Sequence, residues 1–409
     1  MPKPLRVATL FPNIHITGAD LRMMNFARAV DPEVVDYEFI VISRSEERDK
    51  QHGSLRPQYA EIGAKIVDLN LKPWDERLAG LHPLAVFPSL WKALKSVFQI
   101  ARTLRSEKID VVECHGQTPI VLGTLAAILA RKRYVVTAYD MMFWDRRGWR
   151  LMARTIFYLQ RAMITDSYQR ARVMNDWLWK RIPTYVVPNG IVEPLPQRSR
   201  EDVCRELGIP LDRNFKFIGQ VSRIQPDKGQ GIVVEAAVEV AKCEPNAAFI
   251  LCGFTSPRCP PDFVSNMRAT AEKHGFADRL FIFGYPGHIG DVWQLIDIQV
   301  HASLLDSSPI SIHEGMALGR PIIATNEGGI PELVENEKNG LLVPKDDPQA
   351  LAQAMLRVVQ DPELAERLGA ASRQRYEQRH RPEIMARALE KVFLTVGGRP
   401  VDDTPEPVR

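Results

Sequence analysis

Short β-branched runs alternate with longer amphipathic stretches twice over, before and after a polar break at residues 188–200. This doubled alternation restricts the chain to α/β domains built on mainly parallel sheets. In the first half, strand candidates are Arg6–Phe11, Tyr37–Ser43, Lys65–Leu69, Asp110–Cys114, Tyr134–Ala138, Ala162–Asp166 and Thr184–Val187. Phe215–Val221, Ala247–Gly253, Arg279–Gly284, Ile298–His301 and Pro321–Thr325 repeat the pattern in the second. Between the halves, Pro188-Asn189-Gly190 is turn chemistry, and Glu193 to Arg200 is polar and carries two prolines, which places the linker there.

With 409 residues, 45% of them hydrophobic, the chain is too long for one core, because single cores seldom grow beyond about 250 to 300 residues. The expected division is 1–192 and 193–378, then a helix over 379–396 returning to the first domain and a disordered tail, 397–409. A formal net charge of +3 excludes nucleic-acid binding by bulk electrostatics. Cys114, Cys204, Cys243, Cys252 and Cys259 form no C-x-x-C pair, which disfavours a disulfide framework or zinc and points to a reducing, cytoplasmic compartment. Met1 to Phe11 shows no secretory pattern, and the longest apolar stretch, Pro119 to Ala130, is shorter than the ~20 residues of a membrane span.

The most informative window is 301–344. A strand ends at His301-Ala302-Ser303, a loop carries Asp306, and Ser308-Pro309 reads as an N-cap and N1 proline for a helix bearing Glu314. Two carboxylates flanking a helix start, at the carboxyl end of a parallel strand, suit a polar ligand rich in hydroxyls or phosphate. The plainer alternative is that both acids merely complement the helix dipole; Gly319-Arg320-Pro321 and Gly328-Gly329 nearby argue against it. Earlier, Arg223 follows one strand and Lys228-Gly229 precedes the next helix, so one loop presents two cations suited to a diphosphate. After the first strand, Gly18 opens a helix where backbone N–H groups can approach a phosphate. No G-x-G-x-x-G and no G-x-x-x-x-G-K-[ST] occurs, which weakens nicotinamide and P-loop readings.

Together these residues resemble the retaining glycosyltransferases of family 4, whose GT-B fold sets two Rossmann-like domains facing across a cleft. The resemblance rests on the Gly18 loop, Asp166-Ser167, Pro188-Asn189-Gly190, Arg223 with Lys228-Gly229, Gly253, Phe283-Gly284, and two acids eight positions apart, Asp306 and Glu314. It implies a nucleotide-diphosphate-sugar donor: Arg223 and Lys228 on the diphosphate, Glu314 on the ribose, and Asp306 against the sugar. Ser307, Ser308, Pro309 and Ile310 would line the pocket, with Gly18 and Gly253 also at the donor and Tyr285 at the nucleobase. Two positions depart from the family pattern. Asp306 stands where Glu is usual, and Tyr139 stands where many members carry His, leaving His115 as the nearest alternative.

The resemblance further implies retention, with no cofactor and no metal, since no Asp-x-Asp triplet or His/Cys cluster is present and the two cations can neutralise the departing diphosphate. The acceptor would be a glycan or a lipid-linked saccharide in polysaccharide, lipopolysaccharide or glycolipid synthesis. Two other readings stand beside it: a sugar-nucleotide-binding regulator of weak activity, and a glycoside hydrolase, which would have no use for a diphosphate cradle. Aromatic and basic residues mix at 141–150 and at Trp91-Lys92-Ala93-Leu94-Lys95, which suits peripheral membrane contact. The competing expectation is a buried face with snorkelling stems.

Overall fold

A computed structural model describes residues 3–14, 18–42, 54–71, 86–138, 150–211, 213–256, 259–285, 287–402 and 406–408. The chain divides into two units, Met1–Gly190 with Pro382–Arg409, and Ile191–Arg381.

Unit 1 carries β1 (Leu5–Phe11), β2 (Val35–Val41), β3 (Lys65–Asp68), β4 (Val111–His115), β5 (Arg133–Thr137), β6 (Met163–Thr165) and β7 (Thr184–Val186). They form one sheet in the order β3-β2-β1-β4-β5-β6-β7, and its pairs are parallel. Central strands such as VVECH are buried along their whole length, as a sheet covered on both faces requires. Helices 86–106, 117–130 and 150–158 enclose one core, with Ile100, Leu104, Leu122 and Phe157 in it. Helices 18–29 and 382–396 close the other face through Met23, Phe26, Leu389 and Phe393.

Unit 2 carries β8 (Lys216–Val221), β9 (Ala247–Cys252), β10 (Leu280–Phe283), β11 (Ile298–His301), β12 (Ile322–Thr325) and β13 (Leu341–Val343), ordered β10-β9-β8-β11-β12-β13 and again parallel. In both sheets the strand order reverses once, between β1 and β4 and between β8 and β11. Loops diverge there at the carboxyl edge and open a crevice, the place where sheets of this kind hold ligands.

All twelve expected strands are present, and four features differ from expectation. Leu341–Val343 is a thirteenth strand, too short to announce itself, paired to β12 at the sheet edge. Residues 200–207, for which no element was expected and whose first residue closed the expected linker, form a helix capped by Ser199, whose Oγ accepts from the Asp202 N–H at 3.1 Å. The units change over at 190/191 and 381/382 instead of 192/193 and 378/379. The tail expected to be disordered is held at both ends of its described part: the Arg399 guanidinium donates to the Lys3 carbonyl, and the Val408 N–H donates to Thr184 O at 2.8 Å. β7 is an edge strand, so its outer backbone groups can take a partner that composition alone does not reveal.

Candidate active site

The loops that diverge at unit 2's reversal point are 222–229 after β8 and 302–309 after β11. They bring together residues some eighty positions apart. Lys228 Nζ donates to Asp306 Oδ2 at 2.6 Å, with both side chains mostly buried. The same carboxylate oxygen lies 3.3 Å from His301 Nε2. An anionic acceptor puts a proton on that nitrogen, and Nδ1 lies 3.4 Å from Ser311 Oγ. Burial alone would raise the Asp306 carboxyl. The His301 hydrogen bond and the Lys228 charge outweigh it and hold the group well below the usual carboxylate range, so Asp306 is an anion at every working pH.

Backbone geometry enforces the pairing. Gly229 sits at φ +73°, and a Cβ there would lie 1.9 Å from Ala302 O; this close approach seats the Lys228 turn against the end of β11. Gly328 at φ +58° does the same on the other side: a Cβ would lie 2.0 Å from Asp306 O, and the Gly329 N–H donates to that oxygen at 2.9 Å. Gln220 ties the two loops together. Its amide nitrogen donates to Lys228 O at 2.6 Å, and its oxygen accepts from the Ala302 N–H at 3.2 Å.

Helix 310–317 starts beside this group without a capping side chain. Ser308 is not its N-cap: Pro309 occupies that position in an extended conformation, and the helix begins at Ile310. Ser307, Ser308 and Pro309 are buried around its entrance. On its second turn, Glu314 is buried and accepts from Trp293 Nε1 at 2.9 Å. Burial pushes its carboxyl up to about 7, the Trp293 bond only partly opposing it. Arg223 is exposed on the β8 loop, and among the described residues its guanidinium makes no ion pair.

Beside this edge, Gly253, Phe254, Thr255, Ile282, Phe283 and Gly284 line a shallow cleft of about 240 Å³. The nucleobase contact expected of Tyr285 does not belong to its side chain. The ring is buried in the core with Trp293, and the hydroxyl donates to Asp291 Oδ2 at 3.0 Å. Phe254 and Phe283 line the cleft itself.

At the reversal point of unit 1, Gly18 begins helix 18–29 and His115 ends β4. His115 is buried with its ring 4.7 Å from Phe11; burial, reinforced by the Arg22 charge, lowers its pKa to about 3. It is therefore a neutral imidazole near pH 7. Tyr139, and the basic aromatic stretch up to Trp149, lie outside the described residues.

His301, Gln220 and Trp293, which hold Asp306, Lys228 and Glu314, carried no motif signal. Gln220, a long amide within an otherwise apolar strand centre, is the one a reader could have questioned.

One α/β unit thus sets Lys228, Arg223 and the anionic Asp306 at its crevice, and the other unit repeats its topology. Residues 26–193 match the model of Glycosyltransferase Family 4 and residues 206–375 that of Glycosyl transferases group 1, so the chain belongs to glycosyltransferase family 4. The UDP-Gal:alpha-D-GlcNAc-diphosphoundecaprenol alpha-1,3-galactosyltransferase of Escherichia coli is 25% identical over 285 residues, 67% of this chain and 72% of that one. The D-inositol 3-phosphate glycosyltransferase of Corynebacterium glutamicum is 33% identical over 192 residues, and the match spans less than half of it, 45% of each chain. The crystal structure of Anabaena HepE in complex with UDP and glucose superposes with a TM-score of 0.77 at 19% identity, covering 95% of this chain and 99% of that one, which shows the shared fold.

Proposed function

We propose that the chain is a retaining, metal-independent hexosyltransferase. It moves a sugar from a nucleotide-diphosphate sugar to a hydroxyl of a glycan or lipid-linked acceptor, in polysaccharide, lipopolysaccharide or glycolipid synthesis, in the cytoplasm and in peripheral contact with a membrane. The observation that carries the reading is the Lys228–Asp306 pair at the crevice, beside the uncapped start of helix 310–317. A lysine and an acid in contact there can hold the two ends of one bond, diphosphate and sugar. The E. coli relative is named for a UDP-sugar donor and a diphosphoundecaprenol acceptor, and HepE holds UDP and glucose, which supports the donor class.

In this mechanism the anomeric C–O bond breaks with its electron pair passing to the diphosphate. Lys228, Arg223 and the helix N–H groups meet the charge that develops there, the task a divalent cation performs in other transferases. Asp306, held anionic, faces the sugar as positive charge grows on it. The acceptor oxygen bonds to the anomeric carbon on the face the diphosphate leaves, and its proton passes to a phosphate oxygen, so the configuration is retained. Glu314 would hold the ribose hydroxyls, and the cleft at Phe254 and Phe283 the base.

Donor hydrolysis measured across UDP-, GDP- and ADP-sugars, with excess EDTA, tests the reading, and NMR of the first-formed sugar gives the anomer. Lys228→Ala is expected to lower kcat by at least about a hundredfold, the scale of losing one group that stabilises developing negative charge. Near-normal turnover in that variant, EDTA inhibition reversed by Mg²⁺, or an inverted product would overturn the corresponding part of the proposal.

A further inference from the structure

Helix 86–106 has two apolar faces, and the fold uses one of them. Val97, Ile100, Ala101 and Leu104 enter the unit 1 core. On the adjoining flank, about a quarter-turn round, Trp91, Leu94 and Phe98 are 68%, 47% and 55% exposed. Their i, i+3, i+7 spacing puts them in one stripe. The expectation of a buried face with snorkelling stems therefore fails for this helix.

Charge on this surface is one-sided. No acidic residue occurs from Trp91 to Ser106 or from Gln117 to Ala138, whereas Lys92, Lys95 and Arg102 are exposed beside the stripe. The neighbouring helix 117–130 continues the surface, because the Arg105 guanidinium donates to Leu129 O, and it adds exposed Leu125, Ile128 and Leu129 followed by Arg131 and Lys132. In a chain whose whole formal charge is only +3, a two-helix face of cations and apolar side chains, with carboxylates only at its far end in Glu107 and Asp110, is a strong local asymmetry.

We infer that this face is the surface on which the protein seats on an anionic lipid bilayer, with Trp91 and Phe98 entering the headgroup region and Lys92, Lys95 and Arg102 meeting lipid phosphates. Protein interfaces are depleted in lysine at their centres, whereas interfacial helices combine Trp, Phe and Leu with Lys and Arg in this manner. The placement also has a consequence for chemistry, which rests on the transferase reading. A helix that follows a parallel strand begins at the sheet's carboxyl edge, so the first turns, with Trp91 and Leu94, stand at the edge that carries Gly18 and His115. A lipid-linked acceptor would reach that edge from the bilayer.

Co-sedimentation of the full chain with vesicles of phosphatidylcholine alone, or mixed with phosphatidylglycerol, tests the inference. Binding is expected only to the mixed vesicles, weakening with salt. Lys92→Gln and Lys95→Gln should each lower partitioning about fivefold, and Trp91→Ala with Phe98→Ala at least tenfold. Lipid-free donor hydrolysis and melting temperature should not change in these surface variants, which separates this outcome from failure of the transferase reading. Absence of binding to mixed vesicles at low salt, or equal binding by wild type and variants, would overturn the inference. Self-association abolished by the Trp91→Ala/Phe98→Ala pair, without vesicle binding, would overturn it in favour of a second copy.

Discussion

Glu314 makes folding and donor binding pull in opposite directions along the pH scale. Its carboxyl titrates near 7 in the folded chain, against an ordinary value of 4.5, because burial disfavours the anion. The folded state thus binds the proton more tightly than the unfolded state. The resulting stability is fully present below pH 4.5 and is lost as pH rises through about 7. At about 1.4 kcal/mol for each tenfold change in proton affinity, the span from 4.5 to about 7 amounts to roughly 3 kcal/mol at pH 8. Glu314→Gln removes the titration and keeps an oxygen for the Trp293 Nε1–H.

Urea and thermal unfolding at pH 5 and pH 8 read this directly. The variant should come within about 1 kcal/mol of wild type at pH 5 and exceed it at pH 8 by up to about 3 kcal/mol, or about 6 to 12 °C in a unit of this size. Donor affinity should move the other way. Accepting two ribose hydroxyls requires the anion, so wild-type affinity should rise about tenfold for each pH step below 7 and then level off. The variant should bind weakly at every pH. A diphosphate ester has no ionisation near 7 to confuse that profile. A Gln variant no more stable than wild type at pH 8, or a wild-type affinity flat across pH 6 to 8, would refute the assignment of a buried, raised Glu314 carboxyl to the ribose.

The other expectations concern the groups around Asp306. His301→Ala should lower kcat with little change in donor KM, since a bond that orients the Asp306 carboxylate is lost; His301→Gln, which keeps an N–H donor, should recover part of the loss. Equal loss of kcat in the two variants would leave His301 a packing residue only. Gly328→Ala should cost about 2 kcal/mol or more and also reduce turnover, because the new Cβ meets Asp306 O at 2.0 Å. Gly208→Ala, at a similar φ of +67° with nothing within 4 Å, should cost about 1 kcal/mol and leave turnover alone; equal effects at the two glycines would remove Gly328 from the site argument.

Much of the fold could be read from local chemistry. Twelve strand cores are short apolar runs between turn residues, and a buried parallel strand needs little more than that. What escaped reading depends on contacts with distant segments. Leu341–Val343 is three residues long and is a strand because β12 lies beside it. Val408 is ordered by the Thr184 carbonyl, more than two hundred positions earlier in the chain. Helix 86–106 was readable as amphipathic and basic, but which of its two apolar faces the core would take was not, because that depends on the helix's rotation against β4 and its neighbours.

At the site, the groups proposed to do the chemistry carried motif signals, and the groups that hold them did not. Arg223, Lys228, Asp306 and Glu314 stand at strand ends and helix starts, positions that local reading identifies. His301, Gln220 and Trp293 act through pairings that exist only once β8 lies beside β11, with Ile218 opposite Ile298. That register brings Lys228 within 2.6 Å of Asp306. It also bears on the residue one methylene shorter than the family's usual Glu. Asp306 is clamped by Lys228 and His301 through its side chain and by Gly329 through its backbone oxygen, which in the proposed mechanism would limit its reach toward the sugar. Restoring the missing methylene with Asp306→Glu would push the carboxylate past this clamp, so it should alter which donor sugar is turned over more than how tightly the nucleoside diphosphate binds. A change in UDP or GDP affinity with sugar preference intact would place Asp306 on the phosphates.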